Sequence, residues 1–123
     1  MRYAIPLAVK FGARITLLHV VEPMVYPTEM AIVVTNERFA LNASRKHLDE
    51  LGQKFVPKKL RGKMIVRGGQ PYFEIAEVAR EMKADLIVLT THGYTGIKRV
   101  WLGGTAERIV RPAPCPVLTV RIH

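Results

Sequence analysis

Two apolar runs constrain the fold most, residues 14–21 (RITLLHVV) and 85–90 (DLIVLT). Both are rich in β-branched residues and nearly continuous, without the alternation of a half-solvated strand. That is how strands covered on both faces read, and such strands belong mainly to parallel sheets. A parallel pair needs a crossover, usually a helix, and helical periodicity lies between the runs.

The intervening segments supply those helices. Ala4, Ile5, Leu7, Ala8 and Phe11 suit one helical face, which Gly12 ends. After a loop with two prolines, a helix fits about 36–55, with Thr35 as N-cap and Leu41, Leu48, Leu51 and Phe55 on one side. A short strand at 63–66 precedes the Gly68-Gly69 break. Pro71 then stands near the start of a helix kept in register by Tyr72, Ile75, Ala76, Ala79 and Met82. Residues 105–110 begin a further helix stopped by Pro112, and 117–122 close the chain as a strand. The order α-β-α-β-α-β-α-β predicts an α/β fold: an open, mainly parallel sheet with helices on both faces and the last strand at an edge. No linker or repeat interrupts residues 1–123, which read as one domain.

Charge and cysteine content narrow the setting. Lys plus Arg number 19 against 10 Asp plus Glu, a net charge of +9. This balance favours polyanionic partners without saying which. The single cysteine, Cys115, cannot form an internal disulfide and fits a reducing compartment. No apolar run reaches the ~18–20 residues needed to span a bilayer, and the first residues read as an amphipathic helix, not a signal peptide. A cytoplasmic protein without membrane contact is expected.

Chemistry is expected after the 85–90 strand, because open parallel sheets bind ligands outside the carboxyl ends of their strands. The strand runs into Thr91, His92, Gly93, Tyr94, Thr95 and Gly96, and nine residues separate Gly93 from Gly103. Gly103, Gly104 and Thr105 open the next helix. Glycines allow close backbone approach, and the free N–H groups of a helix start favour an anion such as phosphate. Lys98 and Arg99 reinforce that preference. The plainer reading makes Gly93 and Gly96 turn residues and Gly103-Gly104 a helix start. The common dinucleotide and P-loop fingerprints are absent.

The stretch 85–120 (DLIVLTTHGYTGIKRVWLGGTAERIVRPAPCPVLTV) resembles the carboxyl end of universal stress proteins of the UspA type. Residues 2–23 (RYAIPLAVKFGARITLLHVVEP) resemble that family's first helix and second strand. Nucleotide-binding members carry Gly-x2-Gly-x9-Gly-[Ser/Thr]. Gly93 and Gly103 match the second and third glycines, whereas Thr90 replaces the first and Gly104 stands at the Ser/Thr position. The resemblance implies a Rossmann-like domain of the adenine-nucleotide alpha hydrolase type. It implies ATP as ligand, with or without Mg²⁺, the base meeting Val20 and Leu89. Thr90, Thr91, His92, Gly93, Gly103, Gly104 and Thr105 would line the phosphates.

The family begins with a central strand and a loop bearing an acidic ribose contact, both upstream of the helix containing Met1. The resemblance implies that the natural chain starts further upstream, or that a strand from another segment or chain fills that place. Relatives commonly dimerise through the last strand, so a homodimer through Val117, Leu118, Val120 and Ile122 is expected.

Other candidates carry less. His19 and His92 fall near strand ends, but no Cys or carboxylate cluster at ligand spacing accompanies them, so no metal site is expected. Ser44 is the only serine and lies in a helix without a nucleophile elbow. No general base is placed, so no catalytic residue is assigned, and ATP hydrolysis is at most weak. Cys115, between two prolines, reads as a packed small residue. Lys58, Lys59, Arg61, Lys63 and Arg67 form a basic run read as a solvated surface. Without interleaved aromatics or a recognition helix, nucleic-acid binding is not favoured. Universal stress signalling by nucleotide occupancy is the first reading. A nucleotide-free dimeric interaction module is the alternative, and a phosphoryl-transfer enzyme ranks lowest.

Overall fold

The computed structural model describes residues 2–22, 30–91 and 105–121. In chain order the elements are α1 (Ala4–Phe11), β1 (Ile15–Val21), α2 (Met30–Phe55), a 3-10 turn (Lys58–Leu60), β2 (Arg61–Gly68), α3 (Pro71–Met82), β3 (Ile87–Thr91), α4 (Thr105–Val110) and β4 (Val117–Arg121). They fall into two compact units, Met1–Gln70 and Pro71–His123. The strands form two parallel pairs, β1 with β2 and β3 with β4. The expected parallel α/β character is therefore present.

In the first unit, α1 ends as its sequence predicts. Gly12 adopts the left-handed conformation at φ 63° and its N–H caps Ala8 and Val9 carbonyls. Ala8 is buried, but Phe11 is 73% exposed, contrary to its expected place on the packed face. It occupies the last helical position, where the turn passes into the Gly12 cap.

Helix α2 begins at Met30, earlier than expected, so Thr35 lies inside the helix and is no N-cap. No Gly or Pro stands between Pro27 and Gly52 to interrupt it, and Pro27 marks the earliest break. Leu48 is buried on the face toward the sheet, and Val56, 1% exposed, closes the helix end instead of the exposed Phe55. Lys54 lies over the Phe55 ring at 5.1 Å.

Strand β2 is longer than the short 63–66 run predicts. Ile15 pairs with Arg61 and Leu17 with Met64, so two residues of β2, Gly62 and Lys63, face the single Thr16. This is a β-bulge, an irregularity uncommon in parallel pairs. Beyond it the register is regular, with Leu18 beside Ile65, His19 beside Val66, Val20 beside Arg67 and Val21 beside Gly68. Residues of β1 are half-buried apart from exposed His19, not fully buried as the apolar run suggests. Among the described residues β1 has a ladder only with β2, which accounts for the extra exposure.

Arg61 leaves the basic surface to cap α2. Its guanidinium donates to the Val56 carbonyl at 2.8 Å and, at 3.4 Å, to that of Gln53. These carbonyls belong to the helix end, which lacks intrahelical donors. Arg61 Nε is buried without a hydrogen-bond partner. Lys58, Lys59 and Lys63 remain exposed.

In the second unit, Pro71 occupies the first position of α3, as predicted. Ala76, Val78 and Ala79 of α3 and Ile109 of α4 are buried, and the two helices pack together. Arg108 lies over the Tyr72 ring at 5.5 Å. Arg80 pairs with Glu77 and reaches the Pro112 carbonyl at 3.2 Å, tying α3 to the turn after α4. Strand β3 starts at Ile87, leaving Asp85 and Leu86 outside it. Leu86 is 40% exposed, and Ile87, Val88 and Leu89 are half-buried, so this strand too is less covered than its sequence suggests.

Candidate functional site

The sequence places candidate ligand contacts at the carboxyl ends of two strands, one in each unit. In the first unit, β1 and β2 end together at Val21 and Gly68. Val20 is half-buried and lies beside Arg67. The Gly69 N–H donates to the Val21 carbonyl at 3.0 Å, and Gly69 has φ 144°, a backbone angle that side chains disfavour. The Gly68-Gly69 break thus turns the chain directly at the strand end and carries it to α3.

In the second unit, β3 and β4 end together at Thr91 and Arg121. Leu89 lies beside Thr119, Thr90 beside Val120 and Thr91 beside Arg121. Leu89 is half-buried. Thr90 and Thr91 complete the strand, and Thr105 is the first residue of α4. The stretch between is thus bounded by a parallel strand's carboxyl end and a helix start, as the sequence predicts. Burial of Ile109 fixes the position of that helix against α3. His92, Gly93, Gly103 and Gly104 lie outside the described residues, as do Gly96, Lys98, Arg99 and Ile122.

Cys115 is half-buried. Burial pushes its thiol above the ordinary range, the Asp85 carboxylate adds to the effect, and a backbone hydrogen bond with Ile87 opposes it. A thiol so held is a poor nucleophile near neutral pH.

One association was not foreseen. His19 of β1 and His47 of α2 line the same cavity, together with Ala43, Ser44, Leu48 and Leu51. The two histidines are distant in sequence, and only the packing of α2 on β1 joins them. Among the described residues no group of three or more His, Cys, Asp and Glu side chains converges as a metal cluster would. No helix of the described residues is long and apolar enough to cross a membrane.

Comparison with known proteins resolves the family. The universal stress protein family model matches residues 1–121. The chain belongs to that family. Universal stress protein MJ0531 of Methanocaldococcus jannaschii is 36% identical over 129 aligned positions, covering 98% of this chain and 72% of the relative. Universal stress protein YxiE of Bacillus subtilis is 30% identical, covering 96% of this chain and 86% of the relative. Among solved structures, universal stress protein UspA from Lactobacillus plantarum superposes with a TM-score of 0.71 at 26% identity, covering 98% of this chain and 86% of that one. A universal stress protein family member from Burkholderia pseudomallei gives a TM-score of 0.68 at 27% identity, covering 97% and 82%. These likenesses bear out the family resemblance read from the sequence.

Proposed function

We propose that this universal stress protein binds an adenine nucleotide, ATP, with or without Mg²⁺, and signals by the occupancy of its glycine loop. Val20 and Leu89 contact the base. Thr90, Thr91, His92, Gly93, Gly103, Gly104 and Thr105 surround the phosphates. The observation that carries this reading is that the glycine-bearing stretch follows the carboxyl end of parallel strand β3 and precedes α4. That is where open α/β sheets take ligands. The Gly93–Gly103 spacing supplies room for backbone N–H groups to approach a polyanion.

The protein works as a cytoplasmic stress-response module, with at most weak ATP hydrolysis. It forms a homodimer through β4, whose Leu118 is 36% exposed and whose ladder, among the described residues, is with β3 alone. An exposed apolar edge strand invites pairing.

Denaturing the purified protein and chromatographing the supernatant reveals co-purified nucleotide, and calorimetry with ATP and Mg²⁺ measures its binding. Release or heat of binding is expected. A nucleotide-free preparation that gives no heat favours the dimeric interaction module instead. Light scattering during size exclusion tests the dimer, and a monomer at micromolar concentration overturns it.

A further inference from the structure

We propose that the first unit docks on an anionic phospholipid bilayer through the end at which β1 and β2 begin. The inference uses the first unit alone. It concerns the strand ends opposite to Val20 and does not depend on the nucleotide reading. Its starting point is where the charge sits. Residues 1–21 and 51–73 hold nine Lys and Arg and no Asp or Glu, while cations and acids elsewhere number ten each. The whole net charge of +9 therefore belongs to two segments distant in sequence. The fold joins them, since β1 pairs with β2 and α1 lies against the 3-10 turn.

The topology gathers exposed cations at that end. Helix α1 closes shortly before β1, and α2 closes before the turn that leads into β2. Ile15 pairs with Arg61, so both strands start together, and Arg61 holds the last carbonyls of α2 beside them. Lys10, Arg14, Lys54, Lys58, Lys59 and Lys63 are all exposed there. Lys10 and Lys54 stand in last helical turns, where the helix dipole favours a cation. Lys58, Lys59 and Lys63 lie beyond both helices, so this need does not explain them.

Apolar side chains share the same end. Val9 and Phe11 of α1 and Phe55 of α2 are exposed. Lysines around exposed apolar groups suit the membrane interface, where acidic headgroups attract the cations and the apolar groups enter the acyl boundary. A nucleic acid fits less well. Val9 offers no plane for a base to stack on, Lys54 already lies over the Phe55 ring, and Arg14 is the one guanidinium among the six cations. The contact is peripheral, since no helix of the described residues is long and apolar enough to cross a membrane. The expectation of no membrane contact is revised for this end, because the exposure of Val9 and Phe11 is visible only in the structure.

Co-sedimentation of the full, tag-free chain with vesicles, without nucleotide, tests this. Vesicles of about 30% phosphatidylserine in phosphatidylcholine should capture the protein, and phosphatidylcholine alone should not. Capture should fail at about 1 M salt, where the screening length falls to about 3 Å. Lys59→Glu should weaken capture at least about fivefold, the worth of one cation near such a surface. Arg38→Glu changes the net charge equally but stands about 24 Å further along α2, and should leave capture within about twofold. Phe11→Ala should weaken it without altering its salt dependence. Absence of capture overturns the proposal, as does equal weakening by Lys59→Glu and Arg38→Glu. Displacement from the vesicles by a single-stranded RNA that Lys59→Glu no longer binds overturns it in favour of a nucleic-acid surface. If Lys59→Glu fails to fold, acetic anhydride labelling of the unaltered chain decides: vesicles should shield Lys58, Lys59 and Lys63 and leave Lys46 reactive, and equal labelling of all four refutes the docking.

Discussion

The backbone N–H of Lys63 donates to the Thr16 hydroxyl at 3.2 Å, across the bulge where two residues of β2 face one of β1. The side chain thereby satisfies a donor that the ladder leaves unpaired. Gly62, the other bulged residue, lies so close that an added Cβ would meet Thr16 Oγ1 at 2.6 Å and the Ile15 carbonyl oxygen at 3.0 Å.

Gly62→Ala is therefore expected to destabilise the fold by about 1–3 kcal/mol, the usual cost of forcing atoms into a filled place. Thr16→Val should cost about 1 kcal/mol through the lost acceptor. In a Thr16→Ala background the Gly62→Ala penalty should shrink, because half of the clash is with the threonine oxygen. Urea denaturation of the four proteins measures the coupling. Equal penalties in both backgrounds contradict this account of the bulge.

Arg61 holds the end of α2 through the Val56 and Gln53 carbonyls. Arg61→Ala should lower stability by about 1–2 kcal/mol, the range for partly exposed charge-assisted hydrogen bonds. Arg61→Lys should recover less than half, since an ammonium lacks the planar fork that reaches both carbonyls. Lys58→Ala, at an exposed neighbour, serves as the control and should change stability little. An Arg61→Ala protein as stable as its parent refutes the capping role.

The Cys115 thiol is held above its ordinary range, first by burial and then by Asp85. Alkylation by iodoacetamide at pH 8 should be slower than for an unstructured cysteine peptide, with the midpoint of the pH–rate profile displaced upward. A pKa raised on folding means that the unfolded chain gives up this proton first as pH rises. The stability linked to the neutral thiol is present below the unfolded pKa and fades as pH climbs through the folded one. The stability difference between parent and Cys115→Ala should therefore move against the parent in alkaline solution. A difference that stays constant across that range contradicts the raised value.

For nucleotide binding, Gly103→Val is the most direct probe, because a branched side chain blocks the close approach that a phosphate needs. ATP affinity should fall at least about tenfold, equivalent to about 1.4 kcal/mol. Val20→Glu should weaken binding similarly by setting a carboxylate near the base. Far-UV circular dichroism verifies folding, and calorimetry reads affinity. ATP binding unchanged in both variants removes Val20 and Gly103 from the site.

Much of the fold was legible because hydrophobic periodicity is local. The runs of β1 and β3, the Gly12 stop and the Pro71 start each declare themselves within a few residues. The first turns of α2 escaped because residues 31–35 (AIVVT) are mostly β-branched and read poorly as helix, although nothing breaks the chain there. Arg61 looked like one more surface cation because its partners are carbonyls, which sequence does not distinguish. The Gly62 bulge left no signal apart from a glycine within a strand. His19 and His47 could not be associated because helix packing, not spacing, brings them together. The strand ends bearing Val20, Leu89, Thr90 and Thr91 were legible because a parallel sheet directs its ligands to that end.

The single additional residue at Gly62 acts as a parity switch for everything after it in β2. If β2 instead paired residue for residue from Arg61 onward, with Gly62 alone beside Thr16, Lys63, Ile65 and Arg67 would take the places beside Leu17, His19 and Val21 that Met64, Val66 and Gly68 occupy. Two cations would then be turned beneath α2, where Val66 now lies buried. Inserting one residue exchanges the polar and apolar sides of a whole strand. The division between the charged exterior of this unit and its interior is thus encoded by a count, odd or even, as much as by hydrophobicity.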